Sequence, residues 1–507
     1  MTLSSKDSEK VGDPGPSRPE LVVGLVGAAG TDLTVVQNKI VACLGAYGYE
    51  AADLPRISKL MHGLAGGSVL AQDRPEDQRM EIHMNAGDLM RKQAGRNDAA
   101  AALAIAAIDD MRPIEGIPSE GTVYVLNSLK HPQEVETLRS VYRNRFILVA
   151  AHSPTETRRR QLCKLIAKSH GEPHKEDDYL EITDLLMKRD EEDEEKPFGQ
   201  HVRDAFSLAD LFVSAKDPDL SAGIERYFKL FFSYPFETPT KDEFGMFQAH
   251  AAALRSADLS RQVGAALAVE NGEVIALGCN DVPKALGGQY WAGDDPDHRD
   301  FEWGYDSNAK SRDEALETAF EKLEAAGQLG SEATQETFTA ALKGTRLSNI
   351  TEFGRPVHAE MAAILDAGRR GVSVQDTILY TTTFPCHNCA RHVIAAGIRS
   401  VIYREPYEKS LASKLHPDAM VVDPEDSPDD KVVFRRFEGV GPARFQDLFA
   451  KVQRKDSSGV AIDWDQATAE PRLVTTGAAA YMTNEADLLA ETSDVLARVT
   501  LDELEAE

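Results

Sequence analysis

Four residues carry the sharpest chemical signal in this chain. His358-Ala359-Glu360 is followed, 25 positions on, by Pro385-Cys386-His387-Asn388-Cys389. Cys386 and Cys389 stand three apart at the start of a predicted helix, so both sulfurs point to one side of its first turn. A helix N-terminus favours thiolates through its unpaired N–H groups and its macrodipole. His358 opens another predicted helix and supplies a nitrogen ligand. Three protein ligands leave a tetrahedral zinc ion with one open position, which is the catalytic pattern. Glu360 would lie beside that position, where a carboxylate can take a proton from a coordinated water whose pKa zinc lowers to about 7. The competing reading is a structural zinc half-site. It wants a fourth ligand, and Cys43, Cys163 and Cys279 form no second CxxC. His387, inside the pair, and His392, one turn on, are compatible with plain surface positions.

The elements that must position these residues follow from apolar periodicity. Glu243–Ser260 reads as a helix, Val263–Val269 and Glu273–Leu277 as a hairpin around Asn271-Gly272, and Val357–Gly368 as a helix. Strand Thr377–Thr383, helix Cys386–Gly397 and strand Ser400–Tyr403 complete the α/β/α series. A long insertion, about 287–352, contains one predicted helix, Arg312–Ala326. Upstream, the runs Leu21–Val26, Thr122–Leu126, Phe146–Ala150 and Leu211–Val213 alternate with helical segments at Leu33–Leu44 and Gln133–Tyr142. That alternation predicts an α/β domain with a mostly parallel sheet. Ala99–Ile108 is a buried helix, too short to span a bilayer. The acidic run Asp190–Glu195 reads as a solvated helix face or loop. The expected division is a disordered arm (1–20), a first domain (21–240), a second domain (241–450) and an acidic extension (451–507) with 12 acids and 5 bases.

At 507 residues the chain is too long for one compact domain. Its 83 acids against 56 bases give a net charge of −27. Most of its surface should therefore repel nucleic acid and anionic membrane, while local basic pockets for small phosphates remain allowed. Five cysteines, an odd and sparse set, exclude a secreted disulfide framework and point to a reducing compartment. Residues 1–20 are charged and rich in Pro and Gly, without the apolar run of a signal peptide. The expectation is a cytoplasmic protein with no membrane segment.

The pattern His-x-Glu followed by Pro-Cys-x-x-Cys is the signature of the zinc deaminases. Residues of about 243–450 resemble the cytidine/deoxycytidylate deaminase family. The resemblance implies a sheet flanked by helices, Zn2+ held by His358, Cys386 and Cys389, and Glu360 as proton shuttle. It also implies attack of water at C4 of cytosine, with Glu360 protonating N3 and then the leaving amine. The stretch Gly278-Cys279-Asn280-Asp281-Val282-Pro283 is similar to a G-x-N-x-x-P element of deoxycytidylate deaminases. The resemblance makes Asn280 a sugar contact; the alternative is an Asx-type turn residue. Arg255–Gly264 is similar to the family's first helix running into its first strand, and Arg261 faces either a phosphate or an acidic neighbour. Thr383 and Phe384 would lie beside the base. One departure is Ala362, two residues after Glu360, where many deoxycytidylate deaminases carry Asn.

Gly24-Leu25-Val26-Gly27-Ala28-Ala29-Gly30-Thr31-Asp32-Leu33-Thr34 follows a strand and leads into a helix, as a P-loop does. The Walker pattern would end in Gly-Lys-Ser/Thr. Here Leu33 stands where the phosphate-binding ammonium belongs, and Asp32 would repel phosphate, so phosphoryl transfer is disfavoured. Gly24, Gly27, Gly30, Thr31 and Thr34 are candidates for nucleotide binding, or they form a purely structural turn. Arg158-Arg159-Arg160 is similar to the basic lid cluster of nucleotide kinases; Arg158 and Arg159 join the candidates.

A degenerate P-loop kinase-like domain fused to a deoxycytidylate-type deaminase resembles the bacterial two-domain dCTP/dCMP deaminases of anti-phage defence. What that resemblance implies is conversion of deoxycytidine nucleotides to deoxyuridine nucleotides on infection. It also implies a homo-oligomer and a restraining regulatory nucleotide or inhibitory partner at the first domain. Two other readings compete: an RNA or single-stranded DNA editing deaminase, and a nucleotide-sensing protein with a vestigial site. The acidic charge and the absence of an aromatic-interleaved basic stretch weigh against the former. The intact four-residue constellation weighs against the latter.

Overall fold

The computed structural model describes residues 17–505 apart from 115, 192–197, 344, 346, 351, 408–409, 425, 427 and 475–478. The chain forms two units: Met1–Thr238 together with Gly439–Glu507, and Pro239–Glu438. Among the described residues, no helix is long and apolar enough to cross a membrane.

The first unit is built on strands β1 (Leu21–Val26), β2 (Glu50–Ala51), β3 (Thr122–Asn127), β4 (Phe146–His152) and β5 (Leu211–Ser214), all parallel, in the order β5-β4-β1-β3-β2. β1 is buried along its whole length, as an unbroken apolar strand covered on both faces should be. Helix Leu33–Gly45 packs against Leu220–Phe231, whose Ile224, Tyr227, Phe228 and Phe231 enter the main core. Ala99–Met111 is a largely buried helix, as its alanines suggest.

Two sequence expectations are corrected here. The arm was expected to run to residue 20, yet Arg18 donates to the carbonyls of Ala467 and Ala469. Glu20 is buried against Arg112 at 2.7 Å. Residues 1–16 lie outside the described segment. Nor does the acidic extension 451–507 stand apart as a segment of its own. It belongs to the first unit, and its helix Ala479–Leu496 carries the buried Tyr481 and Glu485. Glu485 shares the Arg112 guanidinium with Glu20, and Tyr481 Oη donates to Glu20 at 2.7 Å. Acidic composition signals solvation only on average. Here two of the acids answer one buried guanidinium, whose removal would strand both.

The second unit holds β6 (Gly264–Ala268), β7 (Val274–Cys279), β8 (Ile378–Thr383), β9 (Ser400–Glu405), β10 (Met420–Val422) and β11 (Val432–Arg436). Their order is β10-β11-β9-β8-β6-β7; β6 runs antiparallel to both neighbours and the remaining pairs are parallel. The chain then re-enters the first unit, where β12 (Gly439–Val440) pairs antiparallel with the edge of β5. The helix expected over Glu243–Ser260 covers only Lys241–Ala253. It is opened by a capping box between Thr240 and Glu243. Beyond it, residues 255–263 form an irregular segment that reaches the site. Among its described residues the insertion contains three α-helices, Asp300–Trp303, Ser307–Ala325 and Gln335–Leu342, where one was expected.

Gly278 on β7 is where the sheet meets the site's helix Ala359–Arg369. A Cβ there would stand 2.2 Å from the Ala359 carbonyl oxygen and 2.5 Å from Ala363 N. Neither backbone atom can yield without moving the helix. The Gly278→Ala variant is expected to lose about 3 kcal/mol of stability. The measurement is thermal unfolding alongside zinc content; a variant as stable and metal-replete as wild type would refute the packing argument.

Candidate active site

His358 is the N-cap of helix Ala359–Arg369, and Cys386 is the N-cap of helix His387–Ala395. Strand β8 delivers Thr383-Phe384-Pro385 straight into the second of these caps. The His358 imidazole Nδ1 lies 3.4 Å from Cys386 Sγ and 3.4 Å from Cys389 Sγ. The three ligand atoms all lie within 4.8 Å of one another, the only such group of three or more His, Cys, Asp or Glu among the described residues. Ligands bound to tetrahedral zinc at ordinary bond lengths stand about 3.6 Å apart. The donor set and its spacing therefore fit zinc, and the group contains three donors, not four.

The cysteines share a proton unequally. The Cys386 thiol is drawn down to about 4 by hydrogen bonding from Cys389 and then from His358, while Cys389 is pushed up by the same contact. His358 rises to about 9, chiefly through its hydrogen bond to Cys386. Zinc would bind the Cys386 thiolate and the neutral form of the His358 imidazole, so its binding would release the imidazole's proton. Glu360 is 4% exposed. Burial raises its carboxyl pKa, and it is hydrogen-bonded to Cys389. Burial, and then the charge of Cys386, thus favour a carboxyl that holds a proton longer than usual, against the opposing hydrogen bond from Cys389.

A cavity of about 360 Å³ is lined by His358, Glu360 and Cys386 together with Arg261, Asn280, Thr383 and Phe384. The structure thus gathers three of the four deaminase-like positions and all four substrate candidates around one space, with Cys389 behind it on the other two ligands. Asn280 is nevertheless occupied: its Oδ1 accepts from Val263 N at 2.7 Å and its Nδ2 donates to the Arg261 carbonyl at 2.7 Å. These bonds reach back 17 and 19 residues, so Asn280 staples the 261–263 segment rather than closing a local Asx turn. Thr383 Oγ1 faces Glu405 at 3.5 Å, and Phe384 stands edge-on to Tyr403 with ring centroids 4.9 Å apart. Ala362 lines a different cavity, beside Leu365 and Arg369.

Sequence reasoning missed part of the wall. Asp258, Ser260 and Tyr407 contribute to it, as do Asp306, Ser307, Asn308 and Arg312 from the insertion. Asp258 and Ser260 lie in the Arg255–Gly264 stretch whose resemblance was read only for Arg261, and the others sit in no motif. The only available hint was an insertion of that length between two motif-bearing strands.

The Gly24–Thr34 loop folds as strand, turn and helix start, and several of its polar groups are held by other protein groups. Asp32 caps the helix by accepting from Thr34 N and Val35 N. Ala29 N donates to Asp190 at 2.7 Å. Asp190 is buried and also binds Lys130 at 2.7 Å, which corrects the reading of that acidic run as solvated; residues 192–197 lie outside the described set. A Cβ on Gly24 or Gly27 would collide with Leu129 and Phe146 or with the Ala151 carbonyl, so both are packing positions. Gly30 has φ +83 and backs onto Arg158. Arg158 bonds Ala29 O and Glu191, Arg159 bonds Asp184, and Thr34 Oγ1 accepts from Arg56. Thr31 Oγ1 is buried without a partner. Carboxylates therefore hold the amides that a P-loop would offer to phosphate.

Residues 239–405 match the family described as the cytidine and deoxycytidylate deaminase zinc-binding region. The deoxycytidylate deaminase of Enterobacteria phage T2 is 41% identical over 54 residues, 11% of this chain and 29% of that relative. The deoxycytidylate deaminase of Mus musculus is 26% identical over 121 residues, 24% of this chain and 54% of that relative. The chain thus spans less than a third of the first and about half of the second. A solved dCMP deaminase from cyanophage S-TIM5, in complex with dCMP and dUMP, aligns with 39% of this chain and 98% of that one at 16% identity and TM-score 0.23. Residues 239–405 are thus similar to the zinc-binding region of the cytidine and deoxycytidylate deaminases, and that region implies Zn2+ as the metal.

Proposed function

We propose that the protein hydrolytically deaminates deoxycytidine nucleotides, dCMP, dCTP or both, to deoxyuridine nucleotides and ammonia. The observation that carries this reading is the convergence of a His/Cys/Cys donor set and a buried glutamate on one cavity of about 360 Å³. That space is of the size that holds a small ligand. Bound by His358, Cys386 and Cys389, zinc would supply Lewis-acid activation of water at neutral pH.

The chain's own residues do the rest. Glu360 accepts a proton from the attacking water and delivers it to N3 of the pyrimidine. It then carries the second proton to the amine as the C4–N bond breaks. One water is consumed and one ammonia released, with no change of oxidation state. Burial favours this role, because a carboxyl whose pKa is raised above its ordinary value returns a proton more slowly and can both take and deliver one. Phe384 and Thr383 line the space for the base, and Asn280 fixes the backbone that presents Arg261.

Incubation of zinc-loaded protein with dCMP and dCTP, followed by ammonia determination and nucleotide chromatography, tests the reading. Deoxyuridine nucleotide with equimolar ammonia is expected; turnover of neither would overturn it. In cells we propose depletion of the deoxycytidine nucleotide pool during phage infection, with the first unit restraining the enzyme and the chain working as a homo-oligomer. These rest on the resemblance of the domain pairing.

A further inference from the structure

We propose that Arg312, supplied by the insertion, binds the phosphate end of the nucleotide together with Arg261 and so selects nucleotides over nucleosides. The inference rests on the deaminase reading above.

Helix Ser307–Ala325 does more than fill the insertion: its Ser307, Asn308 and Arg312 line the same cavity as His358 and Glu360. Asn308 and Arg312, four apart, share one helix face. The start of this helix is tied to the body of the site. Ser260 Oγ donates to Asp306 at 2.6 Å, Arg355 N donates to Ser307 Oγ at 3.0 Å, and the Arg355 guanidinium meets Asp300 at 2.8 Å. The wall is thus held by hydrogen bonds and an ion pair.

Charge bookkeeping inside the cavity then singles out its guanidinium groups. Its carboxylates are already partnered: Asp258 accepts from Ser260 N and Arg261 N, Asp300 from Arg355, and Asp306 from Ser260 Oγ and Ala309 N. Arg261 is exposed and makes no ion pair among the described residues; its guanidinium lies 5.8 Å from the Tyr407 ring centroid. Arg312 has one ion pair among them, with its solvated neighbour Asp313 at 3.1 Å. Arg312 also feels the charge of Asp306, but Asp306 spends its hydrogen bonds on Ser260 Oγ and Ala309 N, so the guanidinium groups of Arg261 and Arg312 keep donors for an anion in this cavity. Guanidinium forks match phosphate oxygens in geometry as well as in charge.

The test compares Arg312→Ala and Arg312→Lys with wild type on deoxycytidine, dCMP and dCTP. For Arg312→Ala, kcat/KM on dCMP relative to deoxycytidine should fall roughly 10- to 100-fold, mainly through KM. Arg312→Lys should recover part of the loss, because charge survives while the fork does not. A larger loss on dCTP than on dCMP assigns the contact to the outer phosphates, and an equal loss assigns it to the first; either supports the proposal. Nucleoside and nucleotide falling together would mean a structural role and overturn it, as would no change. A wild type that turns over none of the three defeats the deaminase reading in its own right. Calorimetric titration of dCMP and dCTP into wild type and Arg312→Ala then decides the inference, and equal affinities overturn it.

Discussion

Substituting Glu360 by Gln should lower turnover of deoxycytidine nucleotides by about 100- to 10,000-fold, while zinc content and melting temperature stay close to wild type. The substitution keeps the shape of a side chain that is 4% exposed and removes only its ability to carry a proton. An amide can still hydrogen-bond to Cys389, so the donor set stays assembled. The loss should fall on kcat, because proton transfer belongs to the reaction and not to ground-state binding. Steady-state kinetics with metal analysis of the same preparation separates the outcomes. Activity above a tenth of wild type with full zinc would remove Glu360 from the mechanism. Lost zinc would instead make it a structural neighbour of the ligands.

Removal of the metal should abolish turnover and destabilise the second unit. With free zinc a thousandfold above its dissociation constant, binding contributes about 4 kcal/mol to the folded state. For a unit of this size that corresponds to about 8–16 °C in melting temperature. Without a cation, the Cys386 thiolate and the His358 imidazolium retain only each other and Cys389. Cys389→Ala, His358→Ala and chelation of the wild type should all produce the metal-free behaviour. Only the chelated wild type should recover when zinc is returned. Differential scanning fluorimetry with activity before and after zinc addition checks both arms. Full activity at zero zinc by atomic absorption would refute the assignment.

How far the sequence disclosed this site depends on the range of the interactions involved. His358, Glu360, Cys386 and Cys389 were legible because two helix caps and one strand end fix them locally, so residue type and spacing carry the geometry. The strands were legible for the same reason: β1, β3, β4 and β5 are unbroken apolar runs. Arg312 and Asn308 were not, because a surface helix looks alike whether it faces solvent or a cavity. Only hydrogen bonds such as Ser260–Asp306, spanning 46 residues, decide which. Asp190 misled for a related reason. A run of acids predicts solvation, while the few that find a buried Lys or Arg are chosen by tertiary structure. Strands β10 and β12, of three and two residues, are short enough to leave no period to read.

The return of the chain to pair β12 with β5 has a consequence for biosynthesis. Residues up to 238 emerge from the ribosome long before Gly439 can cover the β5 edge or Glu485 can reach Arg112. At about 5–20 residues per second, the interval between residues 238 and 485 is roughly 12–50 s. Throughout it the nascent first unit shows an open strand edge and a guanidinium short of one carboxylate, while the zinc-binding unit behind it is complete in sequence by residue 438. The catalytic half can therefore mature first, and the half that begins the chain is sealed last.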